Sequence, residues 1–284
     1  KRSASAKDCF LIEEGRLVRL VAAPDGPLVD WAAPSAPEDF DRLAQAALAR
    51  PECRSAVALR VEPRLSTLPP ALARTARAPV DLVPEETLEI ELGSEDEMLA
   101  RMKQKGRYNA RLAGRRGVEV EFAQGPECVH ELHFALERTA VYQDFLLEPK
   151  SFFINLMSAL GGSARAAFAR YKGMTLAAAL TVRHGDTETY LYGGHLPLFK
   201  ETMANYALHW ALMRRAASEG LRRYDLYGFV PAGRPEHPYD RFSRFKEKLG
   251  GRALRRIGSR DLMLYDRLAA AAVDLLESHP GAAS

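Results

Sequence analysis

The sequence predicts an α/β fold in which mixed sheets are flanked by helices. Three observations support this fold class. Short β-rich segments alternate with amphipathic helical segments along most of the 284 residues. Over residues 118–257 the predicted order is β-α-α-β-β-β-α-β-α-β, an antiparallel meander followed by a crossover helix and a parallel strand. Hydrophobic residues make up 47% of the chain without an apolar run of about 18 residues, which excludes a disordered chain and a membrane span.

The N-terminal third of the chain is predicted to form strands and one helix. Residues 17–21 and 56–61 are β-rich, and Pro63 ends the second of these runs. Between them, residues 38–48 place their apolar side chains on one face of a helix. Residues 87–92 alternate apolar and polar side chains, which is typical of a strand with one buried face.

A capping box marks the start of the next helix. In this motif the Ser94 side chain and the Glu97 carboxylate satisfy two free N–H groups at a helix N-terminus. We expect the helix to run without a break to about Ala113, because Gly117 follows just beyond that point.

The remainder of the chain supplies the meander and the crossover. Glycines mark most of the predicted element ends. We predict strands at residues 118–122, 164–171, 174–182, 187–193, 224–228 and 252–257, and helices at residues 127–144, 150–160, 201–219, 240–249 and 262–277.

Charge and cysteine content limit the function classes. The chain has 40 Lys and Arg against 37 Asp and Glu, a net charge of +3, so it is not a generic nucleic-acid binder. Its three cysteines lie far apart, without the spacing of a disulfide framework or a zinc site. No leader sequence or metal motif is recognisable, so we expect a cytoplasmic protein without a metal or cofactor.

A basic run lies on the helix predicted from Glu95. Within it, Lys103, Arg107, Arg111 and Arg115 recur every four residues and form one stripe on a helix. Like charges at this spacing repel, and a bound polyanion would offset that cost. A solvated helix face and a contact to the phosphates of an RNA or a nucleotide diphosphate are both consistent with the pattern.

Two further pairs are candidates for a binding site. Arg138 and Tyr142 share one helix face, either as a surface pair or as part of a site. Tyr190 and Tyr192 are two residues apart on a strand, so we expect them on the same face. The following Gly193 opens space for a ligand or for another backbone.

Two residues near the ends of predicted elements are candidates for catalysis: an acid at the end of a strand and a lysine near the end of a short helix. Asp225 lies at a strand end, where it would cap the backbone or act on an amine. Lys246 lies near the end of a short helix before Gly250 and Gly251. It is either a solvated lysine or a point charge for a phosphate or a developing oxyanion.

Four segments that follow one another along the chain share a pattern with a known family: residues 105–113 with Gly117 and Val118, residues 190–193, residues 224–225 with Gly228, and residues 244–246 with Gly250 and Gly251. Together they resemble the FemABX family, the aminoacyl-tRNA-dependent transferases that build the interpeptide bridges of peptidoglycan. The element order is also similar to that of the Gcn5-related N-acyltransferase (GNAT) fold. The acyl-CoA pyrophosphate loop of that fold, R/Q-x-x-G-x-G/A, is replaced here by His-Leu-Pro-Leu-Phe-Lys at residues 195–200.

The FemABX resemblance implies two tandem GNAT-like domains and a donor amino acid carried on tRNA, which explains the missing loop. We assign residues 94–261 to the second domain, which carries the catalytic cleft. Residues 1–93 form the first domain, which is short or trimmed at its N-terminus and completed by residues 262–284. The predicted site residues are Lys246, Phe245 and Asp225 for catalysis; Arg138, Tyr142, Tyr190, Tyr192 and Gly193 for the precursor substrate; and Lys103, Lys105, Arg107, Tyr108, Arg111 and Arg115 for tRNA.

The predicted reaction is aminolysis, in which a stem-peptide amine attacks the ester of an aminoacyl-tRNA. The implied partners are aminoacyl-tRNA and a peptidoglycan precursor, UDP-MurNAc-pentapeptide or lipid II, with peripheral contact to the inner membrane face as a further expectation. Lys246 would stabilise the oxyanion or a phosphate, and Asp225 would orient the amine or accept its proton. Two alternatives stay open, a GNAT-fold N-acyltransferase that uses acyl-CoA and a non-catalytic RNA-binding module.

Overall fold

A computed structural model describes residues 11–14, 19–143, 146–230 and 240–269. Helices and two mixed sheets make up the described part, which confirms the predicted α/β class. Contacts divide the chain into two compact units. One unit contains the described parts of residues 1–85 and 255–284, and the other contains those of residues 86–254.

The first unit is built on a five-stranded sheet with the order β1-β2-β3-β12-β4. Strands β2 and β3 are parallel, and helix α1 connects them and buries one apolar face that includes Phe40 and Ala44. Arg60 of β3 donates to the Asp261 carboxylate of β12 at 2.8 and 2.9 Å, a buried ion pair across the sheet. The bounds are β1 Leu11–Glu14, β2 Arg19–Ala23, α1 Ala36–Leu48, β3 Ala56–Val61, β4 Ala76–Arg77 and β12 Arg260–Met263.

The second unit is built on a seven-stranded sheet with the order β11-β5-β10-β9-β8-β7-β6. Strands β7 to β9 form the predicted antiparallel meander, β6 pairs antiparallel with β7, and α6 carries the chain from β9 to the parallel strand β10. Its bounds are β5 Glu86–Glu91, α2 Glu95–Arg101, α3 Gln104–Arg115, β6 Glu119–Ala123, α4 Val129–Gln143, α5 Lys150–Leu160, β7 Ala164–Tyr171, β8 Met174–His184, β9 Thr187–His195, α6 Ala204–Ser218, β10 Arg223–Asp225, α7 Asp240–Lys246 and β11 Arg252–Arg255.

Each face of the seven-stranded sheet has its own hydrophobic core. Leu208 and Leu212 of α6 pack with α2 and α3 over one face. Leu132 of α4 and Phe153 of α5 pack over the other face. Alanines of β7 and β8 alternate between the two cores, as the period of two in a strand requires. Within the described ranges, no helix is long and apolar enough to cross a membrane.

The prediction of one unbroken helix after Ser94 was wrong. The capping box is present, with the Glu97 N–H donating to Ser94 Oγ at 3.3 Å and the Ser94 N–H donating to the Glu97 carboxylate at 2.8 Å. The helix stops at Arg101, because Met102 adopts an extended backbone and buries its side chain in the core. A second helix then begins at Gln104.

The C-terminal part of the described chain also departs from the prediction. Residues 260–263 form strand β12, which pairs with β3, where we expected a helix to begin at residue 262. The cross-strand pairing with β3 overrides the local helical pattern. Residues 265–269 are helical as predicted, and the second half of the predicted C-terminal helix, residues 270–277, lies outside the described residues.

Candidate active site

The candidate site lies where strands β9 and β10 separate. The two strands pair in parallel only from Thr187 and Arg223 to Thr189 and Asp225. Beyond these residues β9 continues along β8 to His195, whereas β10 ends. A gap therefore opens between two neighbouring strands at their carboxyl ends, a common place for ligands in α/β folds.

Lys246 closes one side of this gap. Its side chain comes from the last residue of α7 and is only 8% exposed. The ammonium donates to the backbone oxygens of Leu226, Tyr227 and Gly228 at 2.8, 2.6 and 2.7 Å. An ammonium has three N–H donors, so these three carbonyls satisfy it completely. The structure therefore excludes the interpretation of Lys246 as a solvated lysine.

The loop that receives Lys246 has an unusual backbone. Tyr227 and Gly228 have φ angles of 48° and 41°, in the left-handed region. Asp225 is fully buried, and its Oδ1 accepts from the Tyr227 N–H at 2.8 Å and from the Thr87 hydroxyl. These are the contacts of a residue that holds the loop in place. The predicted part of Asp225 in proton transfer stays a prediction.

Burial makes the Lys246 ammonium a stronger acid. Removal from water lowers the pKa of Lys246 to about 7, and the nearby charge of Asp225 acts in the opposite direction. The three carbonyl acceptors match the three N–H groups of the protonated form, whereas a neutral amine could satisfy only two of them. Lys246 therefore gains and loses a proton near neutral pH, and its protonated form is held by three hydrogen bonds.

Aromatic rings line the space beside Lys246. The Tyr190 ring of β9 lies with its centroid 5.8 Å from Lys246 Nζ and 4.6 Å from the His209 ring. The Phe245 ring lies 5.3 Å from His209 and 4.8 Å from Tyr206. Burial raises the pKa of Tyr190, so this phenol stays protonated. The structure thus brings together Tyr190, Phe245 and Lys246, three of the predicted site residues.

Tyr190 and Tyr192 do not share a face, contrary to the prediction. Tyr190 is opposite Thr181 of β8 and Tyr192 is opposite the adjacent Leu180, so Leu191 is an extra residue in β9. This β-bulge reverses the alternation. Tyr190 packs with the core under α6, whereas Tyr192 packs with the core under α4 and α5. Only Tyr190 lies beside Lys246.

Gly193 is required by the position of Tyr190. A Cβ at residue 193 would overlap the Tyr190 hydroxyl and ring. A Cβ at Gly194 would come within 2.6 Å of the Ala135 carbonyl oxygen of α4. The two glycines therefore allow close packing inside the protein, and this explains them without any ligand.

Arg138 and Tyr142 are exposed on α4, and Tyr142 is 63% exposed. Thr139, between them, accepts from the His195 N–H at 2.8 Å, which places α4 beside the carboxyl end of β9. Within the described ranges no contact joins either residue to Lys246. Their predicted role at the precursor stays a prediction.

The basic stripe is only partly present. Lys103 lies before α3 and pairs with Glu247 at 2.7 Å. Arg107 folds back and donates to the backbone oxygen of Met102 and, at 3.4 Å, to those of Leu99 and Ala100, so it caps the end of α2. The exposed side chains that remain on α3 are Lys105, Tyr108, Arg111 and Arg115.

Helix α3 is attached to the segment that follows Lys246. Gly106 packs so closely against the Lys248 backbone that a Cβ would overlap the Lys248 carbonyl oxygen. On the same helix, buried Asn109 lies beside Tyr206, whose ring contacts Phe245. Helix α3, which carries the basic surface, therefore packs directly against the segment around Phe245 and Lys246.

Sequence reasoning missed His209, Tyr224 and Thr87. His209 is 1% exposed, and its Nδ1 lies 3.0 Å from the Tyr224 hydroxyl. The signal in the sequence was a histidine on the apolar face of α6, which could equally well be a satisfied core residue. Its importance depends on contacts with three other elements, which no local pattern reveals.

Residues 100–241, half of the chain, match the family model described as an acetyltransferase (GNAT) domain. The chain belongs to this GNAT family. No curated protein matches the sequence significantly.

Solved structures support the same fold for nearly the whole chain. The crystal structure of FemX is 18% identical, with a TM-score of 0.79 over 92% of this chain and 85% of that chain. The C-terminal domain of a putative lysylphosphatidylglycerol synthetase from Agrobacterium fabrum is 15% identical, with a TM-score of 0.58 over 94% and 85% of the two chains. L-PGS from Bacillus licheniformis is 11% identical, with a TM-score of 0.55 over 93% and 85%. The FemX-like fold that the sequence predicted is therefore confirmed.

Proposed function

We propose that this GNAT-family transferase moves an amino acid from aminoacyl-tRNA to the stem-peptide amine of a peptidoglycan precursor. The observation that carries the proposal is the Phe245–Lys246 pair beside the gap between β9 and β10. These two residues match the Phe-Lys motif that the FemABX resemblance places at the reacting ester. The FemX-like fold gives the proposal further support.

The reaction is an aminolysis of an ester that is already reactive, so the protein acts by positioning and by electrostatics. Lys246 holds the loop of residues 226–228, and its charge lies close to the gap. A positive charge in this buried position favours the oxyanion that forms during attack. Asp225 keeps the same loop in its conformation.

The exposed basic side chains of α3 form the proposed contact to the tRNA acceptor end. Lys105, Arg111 and Arg115 would neutralise phosphates, and Tyr108 would stack on a base. Because Gly106 and Asn109 attach α3 to the segment around Phe245, RNA bound on α3 would be held at a fixed position relative to Lys246.

The proposed acceptor is UDP-MurNAc-pentapeptide or its lipid-linked form, lipid II. Arg138 would contact its phosphates, and Tyr142 would cover its sugar, since both side chains are exposed at the end of β9 where α4 is attached. A cytoplasmic location with peripheral contact to the inner membrane face belongs to the same proposal.

An acyl-CoA-dependent N-acyltransferase is the second candidate, because the family model describes an acetyltransferase domain. Residues 195–200 replace the pyrophosphate loop that acyl-CoA enzymes of this fold use, which disfavours this candidate. Binding of acetyl-CoA, measured as an increase in melting temperature, would favour it.

The test is transfer of labelled amino acids from a charged total tRNA pool to each precursor. We expect labelled product with the parent protein and its loss in Lys246→Met. Lys248→Met is the matched control, since this lysine is two residues away and half-buried, and it should keep the activity. Absence of product with both precursors would refute the proposed function.

A further inference from the structure

His209 makes only one of the two hydrogen bonds that an imidazole can make. Its ring is 1% exposed, and Nδ1 lies 3.0 Å from the Tyr224 hydroxyl. Nε2 is buried and has no hydrogen-bond partner within the part of the chain that the structure describes. Buried polar atoms without a partner are rare in folded proteins, because they lose the hydrogen bond that water would provide.

The surroundings of Tyr224 indicate which nitrogen of the His209 imidazole carries the proton. Tyr224 is fully buried, and burial together with the negative charges of Glu188 and Asp225 raises its pKa, so it keeps its proton. This hydroxyl has no other hydrogen-bond acceptor among the described residues, so its proton goes to His209 Nδ1, which then accepts. In the neutral ring the remaining proton is on Nε2. The unpartnered atom is therefore an N–H donor for which the described residues supply no acceptor.

The imidazole is neutral at physiological pH. Burial and the positive charge of Lys246 lower the pKa of His209 to about 3. The groups that face it come from three elements packed against α6: Tyr190 of β9, Tyr224 of β10, and Phe245 and Lys246 of α7. None of these four groups offers Nε2 an acceptor.

The ring lies at the gap between β9 and β10. Its centroid is 4.6 Å from that of Tyr190 and 5.3 Å from that of Phe245, and both of these residues are half-buried. The Lys246 protons already have three acceptors, whereas the Nε2 proton has none among the described residues.

We propose that the Nε2–H of His209 donates a hydrogen bond to the carbonyl oxygen of the acyl donor, so that His209 is a further catalytic residue. This inference rests on the proposed function. The acceptor amine forms a bond to the ester carbon, and the carbonyl electron pair moves to the oxygen that His209 contacts. When this pair returns, the bond to the ribose oxygen breaks, and the ribose oxygen takes up the proton that the amine releases. His209 keeps its own proton throughout.

Three variants test the donor role in the transfer assay. His209→Phe keeps the ring and removes the donor, and we expect kcat to fall about 10²–10³-fold with KM changed less than about threefold. His209→Gln keeps an N–H donor and should recover at least about tenfold of that loss. Tyr224→Phe keeps the donor and removes the hydroxyl that orients it, so we expect an intermediate loss. A residue that only packs would give equal losses in the Phe and Gln variants, in parallel with their melting temperatures.

A second readout does not depend on turnover. Nitrogen-15 NMR of histidine-labelled protein reports which imidazole nitrogen is protonated. We expect His209 to be protonated at Nε2, with a downfield shift of this proton on addition of a non-hydrolysable amide analogue of aminoacylated adenosine. A shift with acetyl-CoA alone would keep the donor role and refute the tRNA donor. Unchanged spectra with both probes, or full activity of His209→Phe in a protein that transfers amino acids, would overturn the inference and leave the proposed function in place.

Discussion

The Lys246 ammonium lies 2.7 Å from the carbonyl oxygen of Gly228, a residue in the left-handed region of the backbone. This hydrogen bond, with two more to the preceding residues, joins helix α7 to the end of β10. A side chain that the sequence presents as one of many basic residues is thereby a structural centre of the candidate site. The contribution of Lys246 to stability can be measured through its dependence on pH.

The stability of the protein should depend on pH through Lys246. The folded-state pKa is lowered to about 7 from 10.5, so between these values the unfolded chain binds a proton that the folded chain does not. The free energy of unfolding should therefore increase from about pH 7 to about pH 10, by up to about 1.4 kcal/mol per pH unit for this one group. Urea unfolding at several pH values measures this slope, and Lys246→Met should remove it. An equal slope in the variant would contradict the assignment.

His209 should produce a second dependence at acid pH. Its folded-state pKa of about 3 is below the ordinary 6.5, so the unfolded chain gains a proton first as the pH falls. We expect the free energy of unfolding to decrease as the pH falls from 6.5 to about 3. The difference between parent and His209→Gln in urea unfolding isolates this contribution from that of the carboxylates. A difference that does not change with pH would show that the fold does not lower the pKa of His209.

Helix α3 offers a matched pair of glycines. Gly106→Ala should destabilise the protein by about 2–3 kcal/mol and lower transfer activity, because the new methyl group displaces the Lys248 backbone beside the site. Gly114→Ala, on the same helix with open space at its Cα, should be neutral or stabilising by up to about 1 kcal/mol. Thermal unfolding of the two variants measures this difference in stability. Similar melting temperatures would mean that α3 does not approach Lys248 closely.

Gly193 should be equally intolerant of a side chain. Gly193→Ala forces the Tyr190 ring out of its place, and we expect a loss of about 1–3 kcal/mol in urea unfolding. Gly162→Ala is the control, since nothing lies near its Cα. In the double variant with Tyr190→Leu the cost of Gly193→Ala should largely disappear, since the two residues are in contact. Additive costs would disprove this contact.

We expect the arginines of α3 to have two different roles, one in tRNA binding and one in stability. Arg111→Ala and Arg115→Ala should weaken tRNA binding, and each should reduce the dependence of log K on log salt by about 0.7–0.9, since one phosphate is no longer neutralised. Arg107→Ala should instead lower stability, because it leaves the α2 carbonyls without their donor. Filter binding at several salt concentrations and thermal unfolding separate the effects. A larger decrease in tRNA binding for Arg107 than for Arg111 would reverse the assignment.

Much of the fold follows from local patterns. The meander of β7 to β9, the crossover helix α6 and the capping box at Ser94 were all predicted, because alternation, helical spacing and caps are properties of neighbouring residues. The site was predicted in part for a different reason. Tyr190 and Lys246 were candidates from their positions in the elements, and the FemABX resemblance added Phe245, whereas the distances between the three were not predicted.

Features that depend on contacts between residues far apart in the sequence were revealed only by the structure. The burial of Met102 stops a helix that the local pattern would have continued, and the extra residue Leu191 sends Tyr190 and Tyr192 to opposite faces. Lys246 finds its three acceptors in a loop about twenty residues earlier in the chain. The sequence by itself therefore determined the fold class, most elements and the candidate motif. Tertiary packing determined the register, the breaks and the buried hydrogen bonds, because these depend on which side chains compete for the same interior space.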